Sequence, residues 1–312
     1  MAASSELPPI FAATPVALAP ARQIAEFPVN TFLESIAISP DNTLFITSHL
    51  DGKVLRIGKE GKVTTYATIA GRAAGLAFAA DGSLLLSAWN AENVPTVFTI
   101  SPQGEAAVLV SMPDAIFLNG LTPLGVDRYL IADSYRGAIW ELNAAEKTVK
   151  IWLEHDCLAR SSLDQEFPAV NGLKIYGNAL YTSNTAKMQI VKILIQPDGQ
   201  PGEPEIFLQP VNLDDFAFDQ DGNLYGTTHI YNSVVKISPN GSITTIAQAE
   251  QGMTGSTALA FGQGEGDRTG IYVVTNGGMS FPPPTGIEPA KVVRLEVGIA
   301  GYPLIDSNRQ SG

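Results

Sequence analysis

Four residues that carry carboxylate or amide oxygens stand at equivalent places in a pattern that the sequence repeats six times. The residues at this place are Glu34, Ala74, Asn119, Asn171, Asp214 and Thr257. The segments around them consist mainly of Ala, Leu, Ile and Phe, so two carboxylates and two amides stand in an apolar setting. Burying two carboxylates together is costly unless a positive group compensates for their charge. Oxygen ligands without His or Cys suit a hard cation, so this set predicts a site for Ca²⁺.

Other readings of the four oxygens remain open at this stage. Mg²⁺, Mn²⁺ or Zn²⁺ could replace Ca²⁺, and a water-filled channel with hydrated carboxylates would need no metal. Each reading requires that residues spread over 180 positions of the chain meet in space. The elements that carry them must therefore repeat around a common axis.

The repeated unit predicts the blades of an all-β propeller. Its opening strands begin 40 to 52 residues apart, which is the spacing of four-stranded blades. Turns such as Asp81-Gly82 and Asp221-Gly222 lead into second strands, and third and fourth strands follow with a period of two residues. In a propeller the first strand of each blade faces the central channel. The six equivalent positions should therefore form one ring of side chains.

The repeat also predicts how the ring of blades closes. The sixth copy lacks a fourth strand, whereas residues 22–28 (RQIAEFP) resemble the fourth strands of the other copies. We expect this N-terminal strand to complete blade six and hide two sheet edges. The predicted organisation is an N-terminal arm over residues 1–21 and one six-bladed domain over residues 22–312, with a seventh, partial blade as the alternative.

A second ring is predicted where the second strands end, on the same face of the disc. Residues at or beside these strand ends are expected to line a substrate site: His49, Trp89, Asp133, Asn184, His229 and Asn276. Two histidines occupy the same place, in blades one and five, and either could act as a base, bind substrate or only cap its strand. Two long insertions, at residues 155–170 and 277–289, should shape the pocket with aromatic side chains.

Composition restricts the partners. The formal net charge is −12 without a cluster of Lys or Arg, which argues against a nucleic-acid partner or an anionic membrane. Cys157 is the only cysteine, so no internal disulfide can form. The N-terminus makes a poor signal peptide, and no apolar stretch approaches the ~18 residues of a membrane span. We expect a soluble, cytoplasmic protein with a small-molecule substrate and no nucleic-acid or membrane partner. The sequence does not indicate its oligomeric state.

The motifs around the ring resemble those of the family that contains senescence marker protein, gluconolactonase and luciferin-regenerating enzyme. Glu34 in LESIAI, Asn171 in VNGLKI and Asp214 in LDDFAF are similar to metal-binding residues of that family, and Asn119 in FLNGLTP resembles the remaining one. The chain departs from the pattern at Asp215, where a glycine often follows the aspartate.

The resemblance implies a divalent-metal-dependent hydrolase, commonly a lactonase, in which the cation polarises an ester carbonyl. Asp214 would be both a metal ligand and the catalytic base that activates water. No arginine is placed at the ring to grip a sugar acid, so an apolar ester or lactone fits at least as well as a sugar lactone. The alternatives are a condensing or cyclising enzyme similar to strictosidine synthase, and a non-catalytic binding propeller with a structural metal.

Overall fold

The computed structural model describes residues 7–303 and shows six four-stranded antiparallel sheets arranged in a ring. The predicted six-bladed β-propeller is therefore confirmed. Helical structure in the described residues is limited to two short 3₁₀ turns, at Asp156–Leu158 and Ala249–Gln251. No helix within residues 7–303 has the length and apolar character needed to cross a membrane.

The strands run through the blades in chain order. The first is β1 (Ala21–Val29), which precedes blade one. Blade one holds β2 (Leu33–Ile38), β3 (Leu44–Ser48), β4 (Lys53–Ile57) and β5 (Val63–Thr68). Blade two holds β6 (Arg72–Phe78), β7 (Leu84–Trp89), β8 (Pro95–Ile100) and β9 (Ala106–Ser111). Blade three holds β10 (Leu118–Gly125), β11 (Arg128–Asp133), β12 (Ala138–Asn143) and β13 (Thr148–Glu154).

The second half continues the same order. Blade four holds β14 (Val170–Tyr176), β15 (Ala179–Asn184), β16 (Gln189–Ile195) and β17 (Pro201–Leu208). Blade five holds β18 (Phe216–Phe218), β19 (Leu224–Thr227), β20 (Val234–Ile237) and β21 (Ile243–Ala247). Blade six holds β22 (Ser256–Phe261), β23 (Gly270–Thr275) and β24 (Pro289–Glu296).

The N-terminal strand closes the ring as predicted. β1 pairs antiparallel with β24, with Arg22 opposite Arg294, so blade six is built from both ends of the chain. This pairing gives blade six its fourth strand and covers an edge that would otherwise be open. Residues 15–19 continue along blade five, where the Ala17 and Ala19 amides donate to the Thr245 and Ile246 carbonyls. The predicted arm over residues 1–21 thus lies partly on the disc, and residues 1–6 fall outside the described part.

The hydrophobic cores lie between the blades. Six clusters of buried side chains each combine two neighbouring blades, for example Ile46 of blade one with Val274 of blade six. The opening strands β2, β6, β10, β14, β18 and β22 contact one another in a closed circuit around the axis. Because every blade packs against two others, the inner strands cannot shift independently. This rigidity places the ring residues.

A bulge in the opening strands turns the ring side chains toward the channel. In blades one to four, two consecutive residues of the opening strand oppose one residue of the second strand, and the ring position is the first of the two. Such a bulge can re-aim a side chain that regular alternation would point elsewhere. The residues opposite Glu34 and Asn171 are Thr47 and Ser183, respectively.

The hydroxyls opposite these bulges tie each blade to the next. The Ser87 hydroxyl accepts a hydrogen bond from the Gly75 amide at 2.8 Å and donates to the Asn119 carbonyl at 2.6 Å. Ser183 repeats the arrangement, accepting from Gly172 and donating to the Asp214 carbonyl at 2.9 Å. Thr47 and Thr227 do the same in blades one and five. The backbone that carries the ring is therefore held by buried side-chain hydrogen bonds.

We expect Gly75→Ala to destabilise the fold, because Gly75 has no room for a side chain. A Cβ atom there would lie 2.2 Å from the Asn119 carbonyl oxygen, so the inner strands of blades two and three would have to separate. Overpacking of this kind costs about 1–3 kcal/mol. The control is Gly125→Ala, since a Cβ at Gly125 has nothing within 4 Å. Urea unfolding of both variants measures the difference, and equal midpoints would contradict the close approach.

Candidate metal centre and channel mouth

The four predicted oxygen donors line a single cavity. Glu34, Asn119, Asn171 and Asp214 all border the central channel, whose cavity has a volume of about 480 Å³. The adjoining wall is built from small residues such as Gly75, Gly120 and Gly172 and from apolar side chains. The sheet geometry therefore brings together residues from blades one, three, four and five, as the ring argument requires.

Glu34 has a carboxylate oxygen without a partner. Among the described residues, no group bonds its Oε2, although that atom is inaccessible to solvent. Burial raises the pKa of Glu34 well above its ordinary value, and the negative charges of Asp214 and Asp215 raise it further. An orphaned, buried carboxylate oxygen is costly unless it binds a proton or a cation. Glu34 therefore has a buried oxygen that could bind a proton or a cation.

Asp214 has a close polar contact at each of its two carboxylate oxygens. Its Oδ1 accepts from Asn171 Nδ2 at 2.5 Å, and its Oδ2 lies 2.8 Å from His229 Nδ1. The Asn171 amide nitrogen also points to the Thr185 hydroxyl at 3.3 Å. Because Asn171 donates through Nδ2, its Oδ1 stays available as an acceptor. Asp214 and Asn171 thus form a positioned pair of oxygen donors.

The tautomer of His229 follows from Asn276. The Asn276 Oδ1 accepts hydrogen bonds from the Gly278 and Met279 amides, so its Nδ2 must be the atom that faces His229 Nε2, at 2.9 Å. The Nε2 atom therefore accepts, and the hydrogen of the neutral ring is on Nδ1, the atom that faces Asp214 Oδ2. Both ring nitrogens are engaged. His229 and Asn276 thus orient Asp214.

Asp215, the residue that departs from the family pattern, forms an ion pair inside the channel. Its Oδ1 lies 2.5 Å from Lys174 Nζ, and both side chains are 19% exposed. Burial raises the pKa of Asp215, while Lys174 opposes that effect. The cavity is thus lined by three carboxylates and one ammonium group, with an excess of two negative charges. One divalent cation would balance this charge.

The donor set fits a hard divalent cation. Within residues 7–303, no three His, Cys, Asp or Glu side chains are grouped as a metal site, so the candidate set depends on amide oxygens beside two carboxylates. Ala74 supplies no oxygen, and the Thr257 hydroxyl donates to the Leu33 carbonyl at 2.7 Å. Four ring oxygens then remain, a number that leaves room for water or substrate around Ca²⁺.

Asp133, predicted to line the substrate site, has a structural position instead. It is fully buried. Its carboxylate accepts hydrogen bonds from the amides of Ile116, Phe117 and Arg136 and from the Trp140 indole. These bonds hold the connection into blade three, and they occupy both oxygens.

Asn184, another predicted lining residue, has a similar role. It is fully buried, and its Nδ2 donates to the Cys157 and Ala159 carbonyls. Its Oδ1 accepts from the Lys187 amide. These contacts attach the insertion before blade four to the disc, so we leave Asn184 and Asp133 out of the proposed substrate contacts.

A series of aromatic rings extends across blades one to three, next to the residues that line the cavity but not among them. Successive rings lie 4.7–5.9 Å apart between centroids, in the order Phe32, His49, Trp89, Phe117 and Tyr135. We call this series the aromatic wall. It extends from blade one to blade three on the face where opening strands begin and second strands end.

Sequence reasoning missed Phe32 and Phe117 of this wall. Each lies two residues before a ring position, namely Glu34 and Asn119. Comparing the repeats two residues farther upstream would have found them, because both copies carry Phe at that place. The hydroxyls of Thr47 and Ser87, one residue before the second-strand ends, could have been found in the same way.

Large apolar side chains are exposed on loops at this face. Leu50 and Ile116 are each 53% exposed, and Leu163, Phe167 and Phe281 are exposed on the two predicted insertions. All five lie on connections between a second and a third strand or between two blades, which are the connections of the mouth face. This face of the propeller therefore exposes several large apolar side chains.

Comparisons with known proteins show the fold. The chain is similar to a luciferin-regenerating enzyme (TM-score 0.70, 17% identity, covering 91% of this chain and 97% of that one). It is also similar to regucalcin of Agrobacterium tumefaciens, described as a calcium-binding protein (0.71, 16%, 92% and 97%). A third is a gluconolactonase of Xanthomonas campestris (0.66, 14%, 94% and 93%). No known family's sequence model matches the chain, and no curated protein matches it either. The predicted resemblance is thus confirmed at the level of the fold.

Proposed function

We propose that this protein is a divalent-metal-dependent hydrolase of a lactone or ester, with Ca²⁺ as the favoured cation. The observation that carries the proposal is the buried, unpartnered Glu34 carboxylate in the same cavity as Asp214 and two amides. Glu34, Asn119, Asn171 and Asp214 would hold the cation. The calcium-binding and gluconolactonase descriptions of proteins with the same fold support this choice.

The bound cation would act as a Lewis acid that polarises the ester carbonyl. Asp214 is fixed by Asn171 and His229, so its oxygens keep one orientation toward the channel. The sequence also predicted that Asp214 activates the attacking water. Its carboxylate can orient that water through a remaining lone pair, although a carboxylate that binds a cation is a weaker proton acceptor.

The aromatic wall favours an apolar substrate over a sugar lactone. The two arginines nearest to the wall face aromatic rings: Arg72 Cζ lies 4.7 Å from the centroid of Trp89, and Arg160 Cζ lies 4.4 Å from that of Tyr135. Their guanidinium groups thus pack against the wall. No charged side chain other than Glu34, Lys174, Asp214 and Asp215 lines the described cavity. We therefore propose a lactone or ester with an apolar acyl group.

A panel of lactones and aryl esters tests the proposal. We expect kcat/KM for an alkyl-substituted lactone to exceed that for gluconolactone by at least about tenfold, because burying each methylene group contributes ~0.8 kcal/mol. EDTA should abolish turnover, and added Ca²⁺ should restore it. Turnover that survives complete metal removal would favour the cyclising-enzyme alternative. Thermal destabilisation by EDTA without turnover of any ester would favour a structural metal.

A further inference from the structure

His49 is hydrogen-bonded to blade two, the blade whose ring position has no side-chain oxygen. Its backbone carbonyl accepts from the Ala73 amide at 3.1 Å, and its Nδ1 lies 2.7 Å from the Ala73 carbonyl oxygen. Ala73 directly precedes Ala74, the one ring position whose side chain has no polar atom. His49 therefore lies beside the ring position of blade two, where Ala74 provides neither a ligand nor any other polar side-chain group.

The hydrogen bond to Ala73 determines which nitrogen of His49 is free. A carbonyl oxygen only accepts, so Nδ1 carries the hydrogen, and in the neutral ring Nε2 is an acceptor. Within residues 7–303, no group bonds Nε2, and Nε2 is not among the inaccessible, unpartnered atoms. The atom therefore keeps some exposure and has no hydrogen-bond partner among these residues, in contrast to the two engaged nitrogens of His229.

The surroundings of His49 keep the ring neutral. Phe32 and Trp89 lie on either side, with centroids 5.4 and 5.9 Å away. Burial lowers the pKa of His49, and Arg72 on the neighbouring strand β6 lowers it further, while the hydrogen bond to Ala73 opposes both. Phe32, which precedes β2, and Trp89, which ends β7, present uncharged rings. At pH 7 the imidazole thus has a lone pair on Nε2.

We propose that His49 is the general base and acid of the proposed hydrolase, acting through Nε2. This inference rests on the proposed function. In the first step, an O–H bond of water breaks and its proton goes to Nε2, while the water oxygen forms a bond to the ester carbonyl carbon and the carbonyl π bond breaks, leaving its electron pair on the carbonyl oxygen. In the second step, the C=O bond forms again from that oxygen, the carbon–oxygen bond to the leaving group breaks, and Nε2 returns the proton to the departing alkoxide. One water is consumed, and a lactone yields one hydroxy acid.

The contacts of Asp214 and His229 agree with the assignment of the base role to His49. Asp214 Oδ1 accepts a hydrogen bond from Asn171, its Oδ2 contacts His229 Nδ1, and His229 Nε2 faces Asn276. Asp214 is therefore suited to binding and orientation, whereas His49 has an open proton-accepting atom next to the apolar sector. A general base contributes ~10²–10⁴-fold to the rate.

The variant His49→Gln tests the proposal, with His155→Gln as the matched control. His155 lies on the insertion before blade four, and its Nδ1 contacts the Cys157 thiol. We expect kcat/KM of His49→Gln to fall at least about 100-fold, with the metal affinity and the melting temperature unchanged. Because a base must be deprotonated, the wild-type rate should fall at acidic pH. His49→Gln should lose this limb of the profile, and His155→Gln should keep both rate and profile.

A second measurement does not depend on turnover. Diethyl pyrocarbonate carbethoxylates free, neutral imidazole nitrogens, so peptide mapping should find His49 modified faster than His229. Faster modification of His229 would overturn the assignment of an open Nε2. A His49→Gln rate within threefold of wild type, with an unchanged pH profile, would overturn the base role and leave metal-dependent hydrolysis standing. Failure of wild type to cleave any lactone or ester would overturn the proposed function, and this role with it.

Discussion

Asp214→Asn should lower kcat/KM at least about 1000-fold and weaken Ca²⁺ binding at least about 100-fold, with the propeller intact. The substitution removes one of the two carboxylates that we propose as ligands. It also places an amide between Asn171 Nδ2, which donates to Asp214, and His229 Nδ1, which lies 2.8 Å from it, so at least one of these two contacts must change. Isothermal titration with Ca²⁺ and steady-state kinetics measure the two effects.

Asp221→Asn provides the matched control for this variant. Asp221 belongs to the same blade, is exposed in the turn between β18 and β19 at the opposite face, and changes the net charge by the same amount. Its affinity and rate should equal those of the wild type. If Asp214→Asn keeps full affinity for Ca²⁺, the ring does not bind the metal through Asp214. If it keeps affinity and loses only rate, Asp214 acts on the substrate or the water rather than on the cation.

Glu34→Gln should stabilise the metal-free protein and at the same time abolish its stabilisation by Ca²⁺. In the absence of a cation, an ionised Glu34 would be an unpartnered buried charge next to Asp214 and Asp215, which is why its pKa is raised. A neutral amide of the same shape removes that repulsion, which we estimate at about 1–3 kcal/mol. The melting temperature in EDTA should rise by roughly 2–6 °C, since each kcal/mol shifts it by a few degrees. Added Ca²⁺ should raise the melting temperature of the wild type and leave that of the variant unchanged.

The stability of the metal-free protein should also depend on pH, and the raised pKa of Glu34 gives the direction of this dependence. The folded-state pKa of Glu34 is raised above the ordinary value of 4.5, so the folded chain binds its proton more tightly than the unfolded chain. The resulting stabilisation is complete below the ordinary value and is lost as the pH rises through the raised pKa. Melting curves in EDTA over this range should fall with pH for the wild type and fall less for Glu34→Gln. Parallel curves would show that Glu34 is not buried as a charge.

The repeat made the architecture predictable. Glycine turns and alternating apolar residues recur at blade spacing, and each strand is specified by local pattern. The sixth copy of the repeat lacks a fourth strand, and residues 22–28 form a strand that precedes blade one. The sequence therefore predicted that this strand completes blade six, and β1 pairs with β24 as expected. The predicted start of the fifth opening strand at Asp214 differs from β18, which begins at Phe216. Asp214 and Asp215 instead pair with Thr227 in a bulged arrangement.

The candidate site was predictable in its membership and less so in its roles. Glu34 and Asp214 were assigned to one ring because they occupy equivalent positions in the repeat. Blades related by rotation about a common axis place equivalent positions at the same level around that axis. The predicted substrate site grouped Asp133 with His49, because both stand at or beside a second-strand end, although one holds a loop and the other has a nitrogen without a partner. The position of a residue in the repeat gives its blade and its level along the axis of the propeller. It does not give the backbone groups that a neighbouring loop presents to that side chain.

The sequence by itself determined the six blades, their closure by the N-terminal strand and the four oxygens of the ring, since these follow from local periodicity and from symmetry. Only the tertiary structure decided that Asp215 pairs with Lys174, that Asn276 fixes the tautomer of His229, and that Phe32 and Trp89 enclose His49. Each of these joins residues of different blades. Hydrogen-bond direction and burial depend on atoms brought together by packing, and no pattern along one strand records them.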